Sequence, residues 1–306
     1  MQQQNAVFPA NPVYYSDIDA TVWSYISFGS YPQAEVTGVD LTPEITEGNY
    51  DQYGDVWVAG ARYRRISRDD TVDNKFFGEN KFRYFKWEDI RWRVLWNDGK
   101  TLFVLSDRGL DNREFSKVYD RSDPWETCPL RKWLNSDFYN MAFDDKERES
   151  IVLQDVSQAP DWFNAYRRSG NDTRDRIYLL SIAEATNQAY GFRGDWEDLE
   201  RNYMEESKSR RVKASDYAHV MGAWIDTHYK KYRKNCKWWL RTSCKYTKEG
   251  SKVIEDGTIC GVGYTPYMYQ GAVVPAMHIK LDSDRWSVIE LPDSEKPHRP
   301  PAVICL

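Results

Sequence analysis

No run of about 18 apolar residues occurs anywhere in the chain, so no membrane-spanning helix and no membrane insertion are expected. Cysteine is scarce and badly spaced for metal: there are five, Cys128, Cys236, Cys244, Cys260 and Cys305, with no C-x-x-C pair. The four histidines, His219, His228, His278 and His298, lie far apart. A zinc site of ordinary spacing is therefore not expected. Neither sign of charge dominates, with 42 basic against 47 acidic residues interspersed and a net charge of −5. Without a basic stripe, nucleic acid is not an expected partner. The catalytic signatures that announce themselves are missing as well: no P-loop, no H-E-x-x-H, no G-x-S-x-G and no EF-hand loop. No catalytic residue is assigned. No cofactor is expected, with calcium held by carboxylates and carbonyls as the one open alternative.

Aromatic residues are what the chain has in abundance: 13 Trp, 21 Tyr and 12 Phe in 306 residues. They bury a large area each and keep a polar handle. That suits irregular cores and binding surfaces better than a Leu-rich bundle, and predicts a loop-rich α+β or mostly β protein. Residues 1–22, with Pro9 and Pro12, read as an extended lead. Residues 23–291 read as one globular domain, and 292–306 as a Pro-rich tail. All five cysteines read as reduced, the alternative being one bridge among Cys236, Cys244 and Cys260. The run Lys208-Ser209-Arg210-Arg211-Val212-Lys213 follows an acidic stretch and reads as a solvated charged face.

The apolar pattern places the elements. Ile26 to Gln33 reads as a short strand entering a turn, and Val56 to Ile66 as two strands around Gly60. Ile90 to Trp96 and Thr101 to Ser106 alternate around Asp98-Gly99, which predicts a hairpin with a type I′ turn. A helix is predicted over 128–142, with Thr127 as N-cap and Leu130, Trp133 and Leu134 on one face. Asp144 with Glu147, and Ser181 with Glu184, have capping-box spacing, the second opening a helix to about Tyr190. A short helix is read between Asp216 and Asp226, and the last third turns to strands.

Two places suggest ligand contact. In a strand over Trp238 to Ser243, Trp239 and Arg241 share a face opposite Trp238 and Leu240. Trp239 either stacks on Arg241 as a cation–π pair or offers a flat face to a sugar ring, against the plainer reading of core packing. The stretch Gly261 to Gly271 carries Tyr264, Tyr267, Tyr269 and Gln270 between glycines. Rigid tyrosines on a Gly-bounded loop resemble binding surfaces, against the plainer reading of a long surface hairpin. Adjacent carboxylates such as Asp69/Asp70 are expected by chance among 47 acids and do not argue for a glycosidase.

The blocks also occur in a recognisable order. Phe28-Gly29-Ser30-Tyr31-Pro32-Gln33, Tyr84-Phe85-Lys86-Trp87-Glu88, Trp92-Arg93-Val94-Leu95 and Trp125-Glu126 come first. Leu130 to Asn135, Phe138-Tyr139, Ala142-Phe143, Leu179-Leu180-Ser181, Asp216-Tyr217-Ala218 and Trp238 to Arg241 follow. This order resembles an uncharacterised bacterial family whose domains are similar to those of exported or cell-surface proteins of gut Bacillota. The family's closing GxRPA is here Ala272-Val273-Val274-Pro275-Ala276, so no role of its Arg carries to this chain. The late layout resembles C-type-lectin-like and formylglycine-generating-enzyme-like folds, which implies mixed antiparallel sheets, a few short helices and long loops. It implies an exported or cell-surface recognition module for glycan or protein, with a cytoplasmic location as the alternative. The rival readings are a copper oxidase using two of Cys236, Cys244 and Cys260, and a purely structural module.

Overall fold

The computed structural model describes residues 9–71, 74–115, 124–158, 170–194, 205–243, 250–260 and 271–292. Its fold is mixed, mostly antiparallel sheets with a few short helices. The first strands are β1 (Val13–Tyr15), β2 (Ala20–Val22), β3 (Tyr25–Glu35), β4 (Asp55–Val58), β5 (Ala61–Ser67), β6 (Phe82–Asn97) and β7 (Thr101–Ser106). Next come β8 (Arg108–Gly109), β9 (Asp111–Asn112), β10 (Ile151–Val152), β11 (Gln154–Val156), β12 (Thr173–Asp175), β13 (Ile177–Tyr178) and β14 (Lys213–Ala214). The last are β15 (Trp238–Ser243), β16 (Gly250–Val253), β17 (Ile259–Cys260), β18 (Ala272–Val273), β19 (Ala276–Lys280) and β20 (Ser287–Ile289).

β6 is the spine of the larger sheet. It pairs antiparallel with β3 on one side, and with β7 and β5 on the other. β19 continues outward from β7 and carries β10 and β13, while β20 pairs β3 and β4 pairs β5. Ile90, Trp92, Val94 and Leu95 of β6 are fully buried. The second sheet runs β17-β16-β15-β18-β9, with β15 parallel to β18. Pro32 is tolerated in β3 because β20 pairs only Tyr25 to Ser27, leaving the Pro32 stretch with β6 alone.

The predicted helix over 128–142 is present with two corrections. Preceded in the chain by the short α1 (Pro43–Thr46), it comprises α2 (Pro129–Trp133), a π-helical segment Leu134–Phe138 and α3 (Tyr139–Ala142). Its cap is Cys128, whose sulfur accepts from the Arg131 N–H at 3.3 Å, in place of Thr127. Both capping boxes form as their spacing predicts: Asp144 with Glu147 opens α4 (Asp145–Ser150), and Ser181 with Glu184 opens α5 (Ile182–Ala185). α5 stops well before Tyr190, where a separate 3-10 turn follows. α6 (Asp216–Val220) sits where a short helix was expected.

Three further expectations are corrected. The two-residue type I′ turn lies at Ala59-Gly60, where both φ are positive, and not at Asp98-Gly99. There Asn97 pairs Leu102, and the Asp98 carboxylate bridges the longer loop by accepting from Lys100 and Thr101 N–H groups at 2.7 and 2.6 Å. The lead is not simply extended: β1 and β2 form a hairpin, held when Thr21 donates to the Gly191 carbonyl and Ser207 donates to Asp19. The basic run is not a solvated face. Arg210 is 1% exposed and donates to the carbonyls of Gly257, Arg193 and Glu205, which replace the water it has lost.

His278 on β19 gives the sheet an acid sensitivity. Its ring stacks on Phe103 at 4.6 Å, and burial lowers its pKa from 6.5 to about 4, against the pull of Glu184 and Asp98. The unfolded chain then binds more protons than the folded one between these values, so stability falls as pH drops from about 6.5 to about 4. Urea midpoints measured across that window are expected to fall, and His278→Phe to flatten the fall. An equal slope in the variant would assign it elsewhere.

Candidate functional site

The site is built where β3 breaks its pairing. Ser27 pairs Arg91 and Ser30 pairs Asp89, so Phe28 and Gly29 together oppose Ile90 as a β-bulge. Gly29 takes φ +69°, and a Cβ there would lie 2.5 Å from the Phe143 ring and 2.8 Å from the Ala142 carbonyl. The close approach seats the end of α3 and the start of α4 directly on the bulge. Phe28 packs on Phe143 at 5.3 Å, and its carbonyl accepts from Trp92 Nε1 at 2.8 Å. The Gly29 N–H donates to Glu147 Oε1 at 3.1 Å, while Glu147 Oε2 accepts from the Asp144 N–H at 2.8 Å. Burial pushes the Glu147 carboxyl up, and these backbone donors act against that rise.

Beside this junction opens a polar cleft of about 630 Å³. Ser27 to Ser30, Arg62, Asp89 and Ser287 line it from the sheet, Asn140 to Asp145 with Glu147 and Arg148 from the helices and their junction, and Arg285 from the turn before β20. The Asp89 carboxylate is exposed and accepts from the Ser27 hydroxyl at 3.3 Å. Arg148 is tied to Asp145 and to the Phe143 carbonyl.

Arg62 is held from below. Its guanidinium lies 3.7 Å from the Trp87 ring centroid and donates to Asp55 Oδ2 at 2.6 Å. Asp55 also accepts from Arg64 at 2.5 and 2.7 Å and from Trp87 Nε1 at 3.0 Å. Across the β4–β5 pair, Trp57 stands opposite Arg62. Directly opposed residues in an antiparallel pair project to the same face. Trp57 is 70% exposed, so an indole flanks the guanidinium that lines the cleft.

A second cavity, of about 610 Å³, lies by Arg113 and Trp133. Arg113 stacks on Trp133 at 4.8 Å and pairs with buried Asp111, which also accepts from the Tyr31 hydroxyl at 2.6 Å. This network ties Tyr31 of β3 to β9.

The residues singled out in the sequence are placed otherwise. Trp238 and Trp239 are both fully buried, because the sheet is covered on both faces. Trp239 donates to the Arg113 carbonyl at 3.1 Å, packs on Phe115 at 5.5 Å and carries the Lys252 ammonium 3.9 Å from its ring centroid. Gly271 backs the same indole, and any Cβ there would collide with it. Arg241 is 4% exposed, pairs with Glu184 and donates to the Leu179 carbonyl at 2.8 Å, with Tyr178 as its ring partner at 5.5 Å. Trp239 and Arg241 are therefore matched to different partners and do not form a cation–π pair. Tyr264, Tyr267, Tyr269 and Gln270 lie outside the described residues, as does Cys244.

Cys236 and Cys260 are free thiols, and the Cys128 sulfur caps α2. Complete burial pushes the Cys236 thiol up to about 12, so it is a poor source of thiolate for copper. Among the described residues no three His, Cys, Asp or Glu side chains gather to hold a metal ion, and no helix is long and apolar enough to cross a membrane. Sequence reasoning missed Trp57, Arg62, Asp89 and Arg285. The available signal was Trp57 itself, a large aromatic two residues before a Gly turn in an otherwise charged hairpin.

No curated protein matches the chain, and no solved structure does. Residues 99–281 match the model of a family described as a domain of unknown function (DUF6273). That stretch exceeds half of the chain, and the protein belongs to this family.

Proposed function

We propose that this chain is a non-catalytic recognition domain that binds a saccharide in the cleft beside Trp57. The observation that carries the reading is an exposed indole, Trp57, paired across β4–β5 with Arg62, which lines a cleft rich in carboxylate, amide, hydroxyl and guanidinium groups. A sugar ring has an apolar C–H face that lies against an aromatic ring, and an equatorial rim of hydroxyls that pairs with planar polar side chains. A few placed polar groups set orientation, and the ring contact supplies burial. No histidine or cysteine lines the cleft, and Glu147 and Asp144 are committed to backbone donors, which supports recognition over catalysis. Mixed antiparallel sheets with irregular connections support the C-type-lectin-like part of the expectation. An exported or cell-surface location belongs to the same proposal.

The test is Trp57→Ala on a glycan array and in calorimetry. Its exposure makes the substitution nearly neutral for stability, within about 0.5 kcal/mol. Binding of the array ligand is expected to weaken by about tenfold or more. A variant that binds as the parent does would remove Trp57 from the reading.

A further inference from the structure

We infer that the loop at 227–234 is a peripheral docking surface for an anionic lipid bilayer. It shares no residue with the cleft and does not depend on saccharide recognition. Interspersed charge over the whole chain conceals one local excess. Residues 227–237 carry Lys230, Lys231, Arg233, Lys234 and Lys237 and no acid. Lys213 bridges Asn235 and pairs Arg108 of β8, so two more exposed cations stand at the base of the loop. Arg211 lies 5.0 Å from the Tyr232 ring centroid. The acids bonded to this region are Glu206, Asp216, Asp226, Glu255 and Asp256. With every one of them charged, eight cations still face five anions, on a chain whose net charge is −5. Asp107, next to Arg108, is taken by Arg91 and Arg93.

The fold orders the loop before any partner arrives. The Asp226 N–H donates to the Asn235 carbonyl and the Lys234 N–H to the Asp226 carbonyl, each at 2.9 Å, which closes the loop at its base. The buried Asp226 carboxylate accepts from the His228 and Tyr229 N–H groups at 2.8 Å and fixes the first turn. A 3-10 turn, Lys230–Tyr232, forms the middle. Every residue of the loop except Tyr232 is exposed, so the loop projects. Lys231 pairs with Glu206 at 3.0 Å and Lys234 with Asp216 at 3.1 Å. Lys230 and Arg233 have no ion-pair partner among the described residues. Tyr229 is 67% exposed, whereas the Tyr232 hydroxyl donates to Glu206 at 2.8 Å.

One open tyrosine flanked by free cations on a projecting loop suits a headgroup layer. A tyrosine ring settles at the membrane interface, with its apolar body inward and its hydroxyl wet. Lysine and arginine beside it are drawn by the negative surface potential, each adding about fivefold to partitioning. A single strand of nucleic acid asks for something else: a groove that tracks its backbone, and successive rings on which its bases stack. Here the second ring is committed to Glu206 and covered by Arg211. A convex loop meets a plane more readily than it encloses a strand.

The experiment sediments the full chain with phosphatidylcholine vesicles that contain or lack phosphatidylglycerol, at low and high salt. Binding to the phosphatidylglycerol vesicles is expected to be at least about tenfold stronger, from two free cations at about fivefold each. That preference is expected to fade as salt screens the charges. Lys230→Glu/Arg233→Glu is expected to abolish it. Both side chains are exposed and unpaired, so the urea midpoint of the double variant is expected to match the parent's. Tyr229→Ala is expected to weaken binding to the anionic vesicles while leaving its salt dependence in place. Equal binding to the two vesicles, or none to either, overturns the inference. So does a preference that survives Lys230→Glu/Arg233→Glu, or a Tyr229→Ala protein that binds as the parent does. A single-stranded oligonucleotide held more tightly than the vesicles, and released by the same double variant, assigns the loop to nucleic acid and overturns the lipid reading.

Discussion

Gly29→Ala is expected to lower the unfolding free energy by about 3 kcal/mol or more, adding the cost of left-handed backbone for an L side chain to that of overpacking. Gly29 sits at φ +69°, and the new methyl would meet the Phe143 ring at 2.5 Å and the Ala142 carbonyl at 2.8 Å. Neither is the free end of a flexible chain. Phe143 is fixed by Phe28 and Phe138, and the Ala142 carbonyl belongs to α3. Relief requires the α3–α4 junction to lift off the bulge. That would also break the Gly29 N–H bond to Glu147 and move the helical wall of the cleft. Urea denaturation of the two proteins measures the loss. A midpoint unchanged from the parent would mean that the junction does not rest on the bulge.

Asp55→Ala is expected to cost about 3–5 kcal/mol, the range for removing one partner of a buried ion pair. Its carboxylate accepts from Nε and Nη2 of Arg64, from Nη2 of Arg62 and from the Trp87 indole N–H. Alanine would leave the Arg64 charge inside the protein beside the Met141 sulfur, at 3.8 Å, and the Trp87 ring, at 5.1 Å, neither of which replaces a carboxylate. The companion variant Asp55→Ala/Arg64→Met removes both charges and is expected to recover a large part of the loss, because the cost lies in the stranded cation. Equal losses in the single and double variants, again by urea denaturation, would show that shape and not charge governs the site.

The sequence-based expectations succeeded where the cause was local. The Asp144/Glu147 and Ser181/Glu184 boxes need only three residues of spacing and a helix to start, and both form. The strand pairing of Ile90 to Trp96 with Thr101 to Ser106 is likewise local, although β6 extends back to Phe82 because β3 and β5 offer it partners. Expectations failed where a distant segment decided. Gly29 looks like the start of a turn, and only contact with Phe143 and Glu147 makes it a bulge within a continuing strand. Arg210 reads as surface until the carbonyls of Gly257, Arg193 and Glu205 surround it. Trp239 and Trp57 are the same residue type in strands of similar composition. One is sealed between Phe115, Lys252 and Gly271, and the other lies on the end strand of its sheet. Alternation assigns each residue a face, and neighbours not written in the local sequence decide whether that face is wet.

The central place of β6 bears on how the chain can be divided. The family match opens at Gly99, inside the loop that joins β6 to β7. A fragment cut there would carry β7 and β19 without the strand that pairs β7 on its other side. Leu102 to Leu105, all buried in the intact sheet, would then border a row of unsatisfied N–H and C=O groups. Such an edge recruits other chains. A piece that keeps β7 paired on both sides must therefore reach back past the matched segment to include β6.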